Sequence, residues 1–201
     1  MIVSGPRRGK QFTYALLEER VANTPTMDRK EAVAELTRRY FCSHGPAQIP
    51  DFTWWSGLTM ADARIGIELA GAALEHEVFE GKDYWFGAGL RRQSRVAGVA
   101  HLLPNFDEYT VGYRDRSAMI EADRPIRLEI FSLSSLLSSS VIVDGIVRGA
   151  WRRVPAKAGV RIEVRVMDRL KAGEVAAVEA ASRRLGRHVE ETLDLVWIET
   201  P

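Results

Sequence analysis

Apolar residues recur at helical spacing in the first well-patterned stretch of the chain, which begins near residue 28. Asp28, followed three residues later by Glu31, has the pattern of a helix capping box. The apolar positions that follow lie on one helical face: Val33, Leu36, Tyr40 and Phe41. Gly45 and Pro46 end the helix, and Gly45 is expected to take the left-handed conformation of a helix C-terminus.

Two shorter helices are predicted next. The stretch "IPDFTWWSG" has Pro50 in its first turn and Gly57 as its stop. Thr59 is a suitable cap for a third helix, with Asp62 three residues later. The apolar residues at helical spacing here, which we expect to face the core, are Ile65, Leu69 and Ala73.

Extended apolar arms then predict a β-hairpin. Val78, Tyr84 and Phe86 lie on the two sides of the turn sequence "EGKD", residues 80–83. Three helices followed by a hairpin is the element order of a winged helix. We therefore predict a winged-helix domain over residues 28–88, after an N-terminal arm or strand over residues 1–27.

The second half of the chain is rich in β-branched residues. Residues 89–100 have the composition of a linker, and residues 101–201 predict a mostly β domain. Asp144-Gly145 between two apolar runs is a strong hairpin signal. One amphipathic helix is predicted from Ala172 to Leu185, ended by Gly186, and the chain closes with a strand. The predicted fold class is α+β, with a barrel-like C-terminal domain.

Composition narrows the class of protein. The chain is 46% hydrophobic and 27% charged, with a net charge of +1, which is ordinary for a globular protein rather than a broadly basic one. No apolar run approaches the ~20 residues of a membrane span, and the start has no secretory signal. The single cysteine, Cys42, is expected to be a buried helix residue. A cytoplasmic location without membrane contact is the expectation.

The usual signatures of catalysis are missing from the sequence. The four histidines have no metal-ligand spacing, and no nucleophile elbow, phosphate-binding glycine loop or Cys-x-x-Cys pair occurs. We therefore expect no metal and no cofactor.

One polar segment stands out, "HLLPNFDEYTVGYRDRS" from His101 to Ser117. Tyr109 to Tyr113 are predicted to form a strand, with Arg114, Asp115 and Arg116 at its end. In one interpretation Asp115 orients a guanidinium, so that Arg114 or Arg116 binds a phosphate. In the other, an Arg–Asp network ties the β domain to the winged helix.

Four stretches resemble one known family in the right order: "SGPRRGKQFTYALLEERV", "LTRRYFCSHGPAQIPDFTWWSGL", "HLLPNFDEYTVGYRDRS" and "VIVDGIVRGAWRR". The family is that of the winged-helix DNA-binding-domain proteins that include the AlkZ and YcaQ DNA glycosylases. The resemblance implies tandem winged helices, a barrel-like C-terminal domain and DNA as the partner. It also implies hydrolytic removal of alkylated or crosslinked purines.

The sequence departs from the catalytic pattern of those glycosylases. Their signature is a Gln-x-Gln or Gln-x-Asp pair, whereas Gln11, Gln48 and Gln93 all lack such a partner. No catalytic residue is therefore assigned, and we expect the chain to correspond to the part that follows the catalytic half. Three possibilities stay open: a DNA-binding module, part of an active glycosylase, and a structural or regulatory protein that does not bind DNA.

Basic residues outside the third helix are the candidates for DNA binding. That helix carries Arg64 against Asp62 and Glu68, which opposes contact with a major groove. Trp151 either stacks on an unpaired base or is buried. The candidates are Arg7, Arg8, Lys10, Arg91, Arg92, Arg95, Tyr113, Arg114, Asp115, Arg116, Trp151, Arg152 and Arg153. Self-association into a homo-oligomer is a further expectation.

Overall fold

The structure, a computed structural model, describes residues 1–21, 27–91, 97–120, 139–156 and 159–198. Within these residues the helices are α1 (Leu17–Arg20), α2 (Arg29–His44), α3 (Ile49–Ser56), α4 (Met60–Ala70), α5 (Glu108–Val111) and α6 (Ala172–Val189). The strands are β1 (Ile2–Ser4), β2 (Tyr14–Leu16), β3 (Leu74–Phe79), β4 (Lys82–Gly87), β5 (Ala100–Leu103), β6 (Ser140–Val143), β7 (Ile146–Ala156), β8 (Gly159–Val166) and β9 (Leu193–Ile198).

The N-terminal arm is a small antiparallel hairpin. Strands β1 and β2 pair with Ile2 opposite Leu16, and the short helix α1 follows β2 directly. At the far end of the hairpin, Arg8 and Gln11 exchange backbone hydrogen bonds across the turn.

The caps of the helical unit are where the sequence predicted them. Asp28 accepts from the backbone N–H groups of Lys30 and Glu31, and the Glu31 carboxylate accepts from the Asp28 N–H, so the capping box is confirmed. Thr59 Oγ1 accepts from the Asp62 N–H at the start of α4, as expected. Helices α2, α3 and α4, followed by the β3–β4 hairpin, form in the predicted order.

The core of the helical unit differs from the predicted one on α4. Ile65 and Leu69 are 43% and 52% exposed, so their predicted core position is wrong. The buried face of α4 carries Ala63, Gly66 and Ile67 instead. A Cβ at Gly66 would lie 2.0 Å from Thr37 Oγ1 on α2, so the close approach of the two helices leaves no room for a side chain at that position. The buried residues of this core are Tyr40, Phe41, Ala47, Phe52, Ala63, Ile67 and Leu74.

Two residues near the end of α2 also differ from expectation. Cys42 is exposed, not buried. Gly45 has φ −67°, so the left-handed conformation expected for it is wrong. Its small size is required for another reason, because a Cβ there would lie 2.7 Å from the Phe86 Cα of β4. Gly57, at the end of α3, does take the left-handed conformation, with φ 72°.

The second half of the chain contains a five-stranded sheet in the order β5-β6-β7-β8-β9. Asp144 and Gly145 form the β6–β7 turn with φ 51° and 86°, as the sequence predicted. Neighbouring strands are antiparallel except β8 and β9, which are parallel and are connected through α6.

The predicted barrel is wrong for the described part of the chain, since the sheet is open and its end strands β5 and β9 do not pair. Helix α6 covers one face of the sheet with Ala177, Val178 and Ala181, and this packing buries the apolar face without closure. The helix continues to Val189, so Gly186 does not stop it. Among the described residues, no helix is long and apolar enough to cross a membrane.

Candidate nucleic-acid interface

The segment before the Arg-Asp-Arg sequence is a short helix. Asp107 accepts from the Tyr109 N–H and begins α5, which ends at Val111. The predicted strand from Tyr109 to Tyr113 is therefore wrong. The alternation of Tyr109, Val111 and Tyr113 suggested a strand, but Asp107 caps a helical turn instead.

Two adjacent tryptophans hold α5 against the helical unit. Trp54 Nε1 donates to the Val111 carbonyl at 3.2 Å, and Trp55 Nε1 donates to the Glu108 carboxylate. The two side chains are 56% and 38% exposed, and the core aromatic of α3 is Phe52. Both tryptophans thus contact α5.

His44 extends this contact at the end of α2. Its Nε2 lies 3.0 Å from Glu108 Oε1, and its ring stacks on Tyr40 with centroids 4.6 Å apart. The Tyr40 hydroxyl donates to the Gly112 carbonyl, and the Tyr113 hydroxyl donates to the His44 carbonyl. Burial raises the pKa of both phenols, so both remain protonated donors.

A buried carboxylate fixes the start of the Arg-Asp-Arg sequence. Asp51 is 3% exposed, and its Oδ1 accepts from the backbone N–H groups of Arg114 and Asp115, each at 2.9 Å. Its Oδ2 accepts from the Gln48 N–H at 2.8 Å. The sequence carries no sign of this role, because Arg114 and Asp115 lie 63 and 64 residues from Asp51.

Asp115 has cationic and polar partners other than arginine. Its Oδ2 accepts from Lys82 Nζ at 2.7 Å and from Gln48 Nε2 at 3.2 Å, and its Oδ1 accepts from Ser117. The Lys82 hydrogen bond is the largest cause that holds the pKa of Asp115 well below its usual range. Among the described residues, Asp115 thus orients no guanidinium. A polar network does connect this segment to the first half of the chain, but Asp51 and Lys82 form it rather than the arginines.

Loss of this network at low pH is expected to be measurable. Because the pKa of Asp115 is depressed by folding, its contribution is present above the ordinary carboxyl pKa, near ~4, and is lost as pH falls from there toward the folded pKa. Lys82→Met should therefore lower stability at pH 6 and flatten its decline below pH ~4. Urea unfolding at several pH values measures both effects. Lys30→Met, on exposed α2 surface, is the control; equal acid slopes in both variants would contradict the assignment.

The two arginines that flank Asp115 are placed differently. Arg114 is exposed, and its side chain has no ion pair within the described residues. Arg116 Nε donates to the Thr110 carbonyl at 2.7 Å, and its guanidinium carbon lies 5.8 Å from the Trp54 ring centroid. We call Trp54, Arg114 and Arg116 the Arg114 surface.

The N-terminal candidates lie at the turn of the β1–β2 hairpin. Arg7, Arg8 and Lys10 are exposed, and the Arg7 guanidinium carbon lies 4.6 Å over the Phe12 ring. Arg91 is exposed after β4. Arg92 and Arg95 lie outside the described residues.

Trp151 is a half-buried part of the sheet. It packs against the apolar cluster under α6, and its Nε1 donates to the Leu103 carbonyl at 2.8 Å. This contact favours the structural interpretation over base stacking. Tyr113, whose hydroxyl is held by His44, has a comparable packing role.

The arginines that follow Trp151 have acidic partners. Arg152 pairs with Glu163 at 2.6 Å on β8, and Arg153 pairs with Glu191 at 2.6 Å after α6. Their charge is therefore largely balanced within the fold. The positive patch that the sequence suggests at this position is weaker than a count of arginines implies.

A pocket of about 210 Å³ opens beside the Arg-Asp-Arg sequence. Gln48, which precedes α3, and Tyr84 of β4 form part of its wall. The segment from α5 onward contributes Tyr109, Tyr113, Asp115 and Ala118. Among the described residues, no cluster of three or more metal-binding side chains occurs here or elsewhere.

Comparisons with known proteins identify the fold. The structure matches that of the DNA glycosylase AlkZ from Streptomyces sahachiroi with a TM-score of 0.76 and 21% sequence identity, over 98% of this chain. The chain spans about half of that protein, 54% of its length. No curated protein sequence matches the chain significantly. A family model described as "DNA glycosylase AlkZ-like" matches residues 1–188. Because this match covers most of the family domain, the expectation that the chain corresponds only to the part after the catalytic half is wrong. The predicted family itself is thereby confirmed: the chain belongs to the AlkZ-like DNA glycosylase family.

Proposed function

We propose that this chain binds duplex DNA and takes part in the excision of alkylated or crosslinked bases. The observation that carries the proposal is the AlkZ-like family match over residues 1–188. The sequence contains no Gln-x-Gln or Gln-x-Asp pair, so these 201 residues are proposed to supply DNA binding and not the catalytic centre. Residues 28–88 serve in this proposal as a winged helix.

Charge opposes the use of the third helix as the main DNA contact. Asp62 pairs with Arg29 at 2.8 Å, which lowers the pKa of Asp62 to about 2 and leaves Arg64 and Glu68 as the other charges of α4. The adjacent hairpin exposes four acids: Glu75, Glu77, Glu80 and Asp83. Phosphates are repelled by such a surface.

The Arg114 surface is better suited to contact DNA than α4 and the adjacent hairpin. Arg114 and Arg116 supply positive charge, and the exposed Trp54 adds an aromatic ring next to Arg116. Backbone phosphates attract the guanidinium groups, and an aromatic face stacks on bases without sequence preference. Arg7, Arg8 and Lys10 at the β1–β2 turn form a second, smaller basic element in the proposal.

A second candidate function is that of a segment of an active glycosylase. The coverage of 54% of AlkZ favours it, because the other residues of such an enzyme could carry the glutamine pair. Incubation of this chain with alkylated duplex DNA tests the difference. Base release by these 201 residues alone would contradict a catalytic centre that lies outside them.

Arg114→Ala is expected to weaken binding to every duplex sequence to a similar degree. The slope of log K against log salt should fall by about 0.9, the value for one phosphate contact on duplex DNA. Fluorescence anisotropy with a labelled duplex at several salt concentrations measures this slope.

Arg187→Ala on α6 is the matched control, because it removes an exposed arginine from another element. It should leave the slope unchanged. Arg114→Lys should retain most of the slope. Absence of binding by the wild-type chain at low salt would overturn the proposed function, and an unchanged slope in Arg114→Ala would remove Arg114 from the interface.

A further inference from the structure

The β1–β2 hairpin, residues 1–16, has apolar strands and a basic tip, and we call it the basic hairpin. Ile2, Phe12 and Tyr14 are 69%, 73% and 79% exposed. None of its residues belongs to the apolar cores formed by the described part of the chain. An isolated two-stranded hairpin is marginally stable in water, so a partner that covers these side chains would stabilise it.

The charge of the basic hairpin narrows the class of partner. Arg7, Arg8 and Lys10 are exposed, and none of them has an ion pair within the described residues. The first 16 residues contain no Asp or Glu. The Arg7 guanidinium carbon lies 4.6 Å from the centroid of the Phe12 ring, so positive charge and an aromatic ring share one surface. The complementary partner is a surface that carries both carboxylates and exposed apolar side chains.

The β3–β4 hairpin, Leu74–Gly87, has this complementary character, and we call it the acidic hairpin. Glu75, Glu77 and Glu80 are exposed and form no ion pair among the described residues; Glu75 accepts only from a backbone N–H group. Val78 and Phe79 lie between two of these acids in the sequence and are 64% and 63% exposed. Cationic groups placed here would relieve the repulsion among the carboxylates.

The acidic hairpin also has a free edge. Trp85 of β4 exchanges backbone hydrogen bonds with Ala47, whereas β3 pairs only with β4 among the described strands. Lys82 is the only Lys or Arg of this hairpin, and it bonds Asp115 on another part of the chain. The acidic strand β3 is therefore open to a partner, and its charge is not compensated from within the hairpin.

We propose that two copies of this chain associate by reciprocal exchange, in which the basic hairpin of each copy packs on the acidic hairpin of the other. The cations of the tip pair with the carboxylates of β3 and its turn, and Phe12 packs against Phe79. Each copy provides one basic and one acidic hairpin, so two identical contacts close a twofold dimer. The inference goes beyond the proposed function and does not rest on DNA binding.

Sedimentation equilibrium without DNA measures this association. At about 100 µM protein and about 50 mM salt, the wild type should be mainly dimeric, and about 500 mM salt should raise its dissociation constant by about tenfold or more, because salt screens pairs of exposed charges. A wild type that is monomeric at low salt overturns the inference.

Charge reversal tests the pairing of the two hairpins. Arg7→Glu/Arg8→Glu and Glu77→Lys/Glu80→Lys should each be monomeric, because each variant places like charges on both hairpins. An equimolar mixture of the two variants should restore the dimer, since every hairpin then meets the opposite charge in the other copy.

Two further variants provide the control and test the apolar contact. Arg183→Glu/Arg187→Glu reverses two charges at exposed positions of α6 and should remain dimeric. Phe79→Ser removes an exposed ring from the acidic hairpin and should raise the dissociation constant by about tenfold or more, as expected for the loss of a buried phenylalanine side chain. Thermal unfolding verifies that each variant is folded.

The outcomes separate this inference from the proposed function. A dimer that persists in both charge-reversed variants places the contact elsewhere and overturns the inference. A mixture of the two folded variants that stays monomeric overturns it as well. Neither result bears on DNA binding, because all these measurements are made without DNA. A wild-type dimer with the expected response to charge reversal supports the inference even where duplex binding is absent.

Discussion

Replacing Asp51 by alanine is expected to lower the free energy of unfolding by about 3–5 kcal/mol, since three backbone donors lose an ionised acceptor in a buried place. The donors are the N–H groups of Gln48, Arg114 and Asp115. No other acceptor within the described residues bonds these three groups. Urea unfolding at neutral pH measures the change.

Asp51→Asn distinguishes charge from shape. It retains one acceptor oxygen but sets an amide donor near one of the backbone donors, so an intermediate loss of stability is expected. Glu68→Gln, an acid-to-amide change at an exposed site of α4, should change stability by less than about 0.5 kcal/mol. If Asp51→Ala were as stable as Glu68→Gln, the carboxylate would not fix the loop.

The Asp51 variants also link stability to the proposed interface. Because Asp51 binds the backbone of Arg114, its loss should weaken DNA binding even under conditions where the variant remains folded. Arg114→Ala, in contrast, should reduce DNA binding with little change in stability, since its side chain is exposed. The pair of variants separates positioning of the loop from contact with phosphate.

Local signals in the sequence predicted the ends of elements well. Asp28, Thr59 and Asp144-Gly145 act on neighbours within three residues, and each forms the predicted cap or turn. Such interactions involve residues that are close together in the sequence, so a short stretch of sequence is enough to predict them. For the same reason the order of α2, α3, α4 and the hairpin was predictable.

Tertiary contacts decide the features that the sequence did not reveal. The stretch from Tyr109 to Tyr113 alternates like a strand, yet Trp54 binds the Val111 carbonyl and Tyr40 binds the Gly112 carbonyl across more than 50 residues. These partners stabilise a helical turn. Only the Asp107 cap, which precedes Glu108, carried a local sign of that turn.

The sequence shows where the arginines are, but it does not show which of them pair with acidic side chains. Arg152 and Arg153 suggest a basic patch, whereas pairing of β7 with β8 places Arg152 opposite Glu163. Arg114 remains exposed because its acidic neighbour Asp115 bonds Lys82 instead. The charge of the candidate interface therefore depends on which carboxylates already pair with cationic side chains, and only the folded structure shows this pairing.

The second large effect on stability is expected at one of two glycines that occupy similar positions in the sequence. Both Gly45 and Gly57 end a helix, but Gly45 has an ordinary φ of −67° and lies against β4. A Cβ at Gly45 would lie 2.3 Å from the Phe41 carbonyl oxygen and 2.7 Å from the Phe86 Cα. Backbone atoms cannot rotate away as side chains can. Gly45→Ala is therefore expected to destabilise the protein by about 3 kcal/mol.

Gly57→Ala is the matched control because its cost has a different origin. With φ at 72° and no atom within 4 Å of the added Cβ, alanine there meets only the strain of the left-handed conformation, about 1 kcal/mol. Urea midpoints of the two variants should differ accordingly, with Gly45→Ala the less stable. Equal midpoints would mean that α2 and β4 move apart readily, and the tight contact between Gly45 and Phe86 would then contribute nothing to stability.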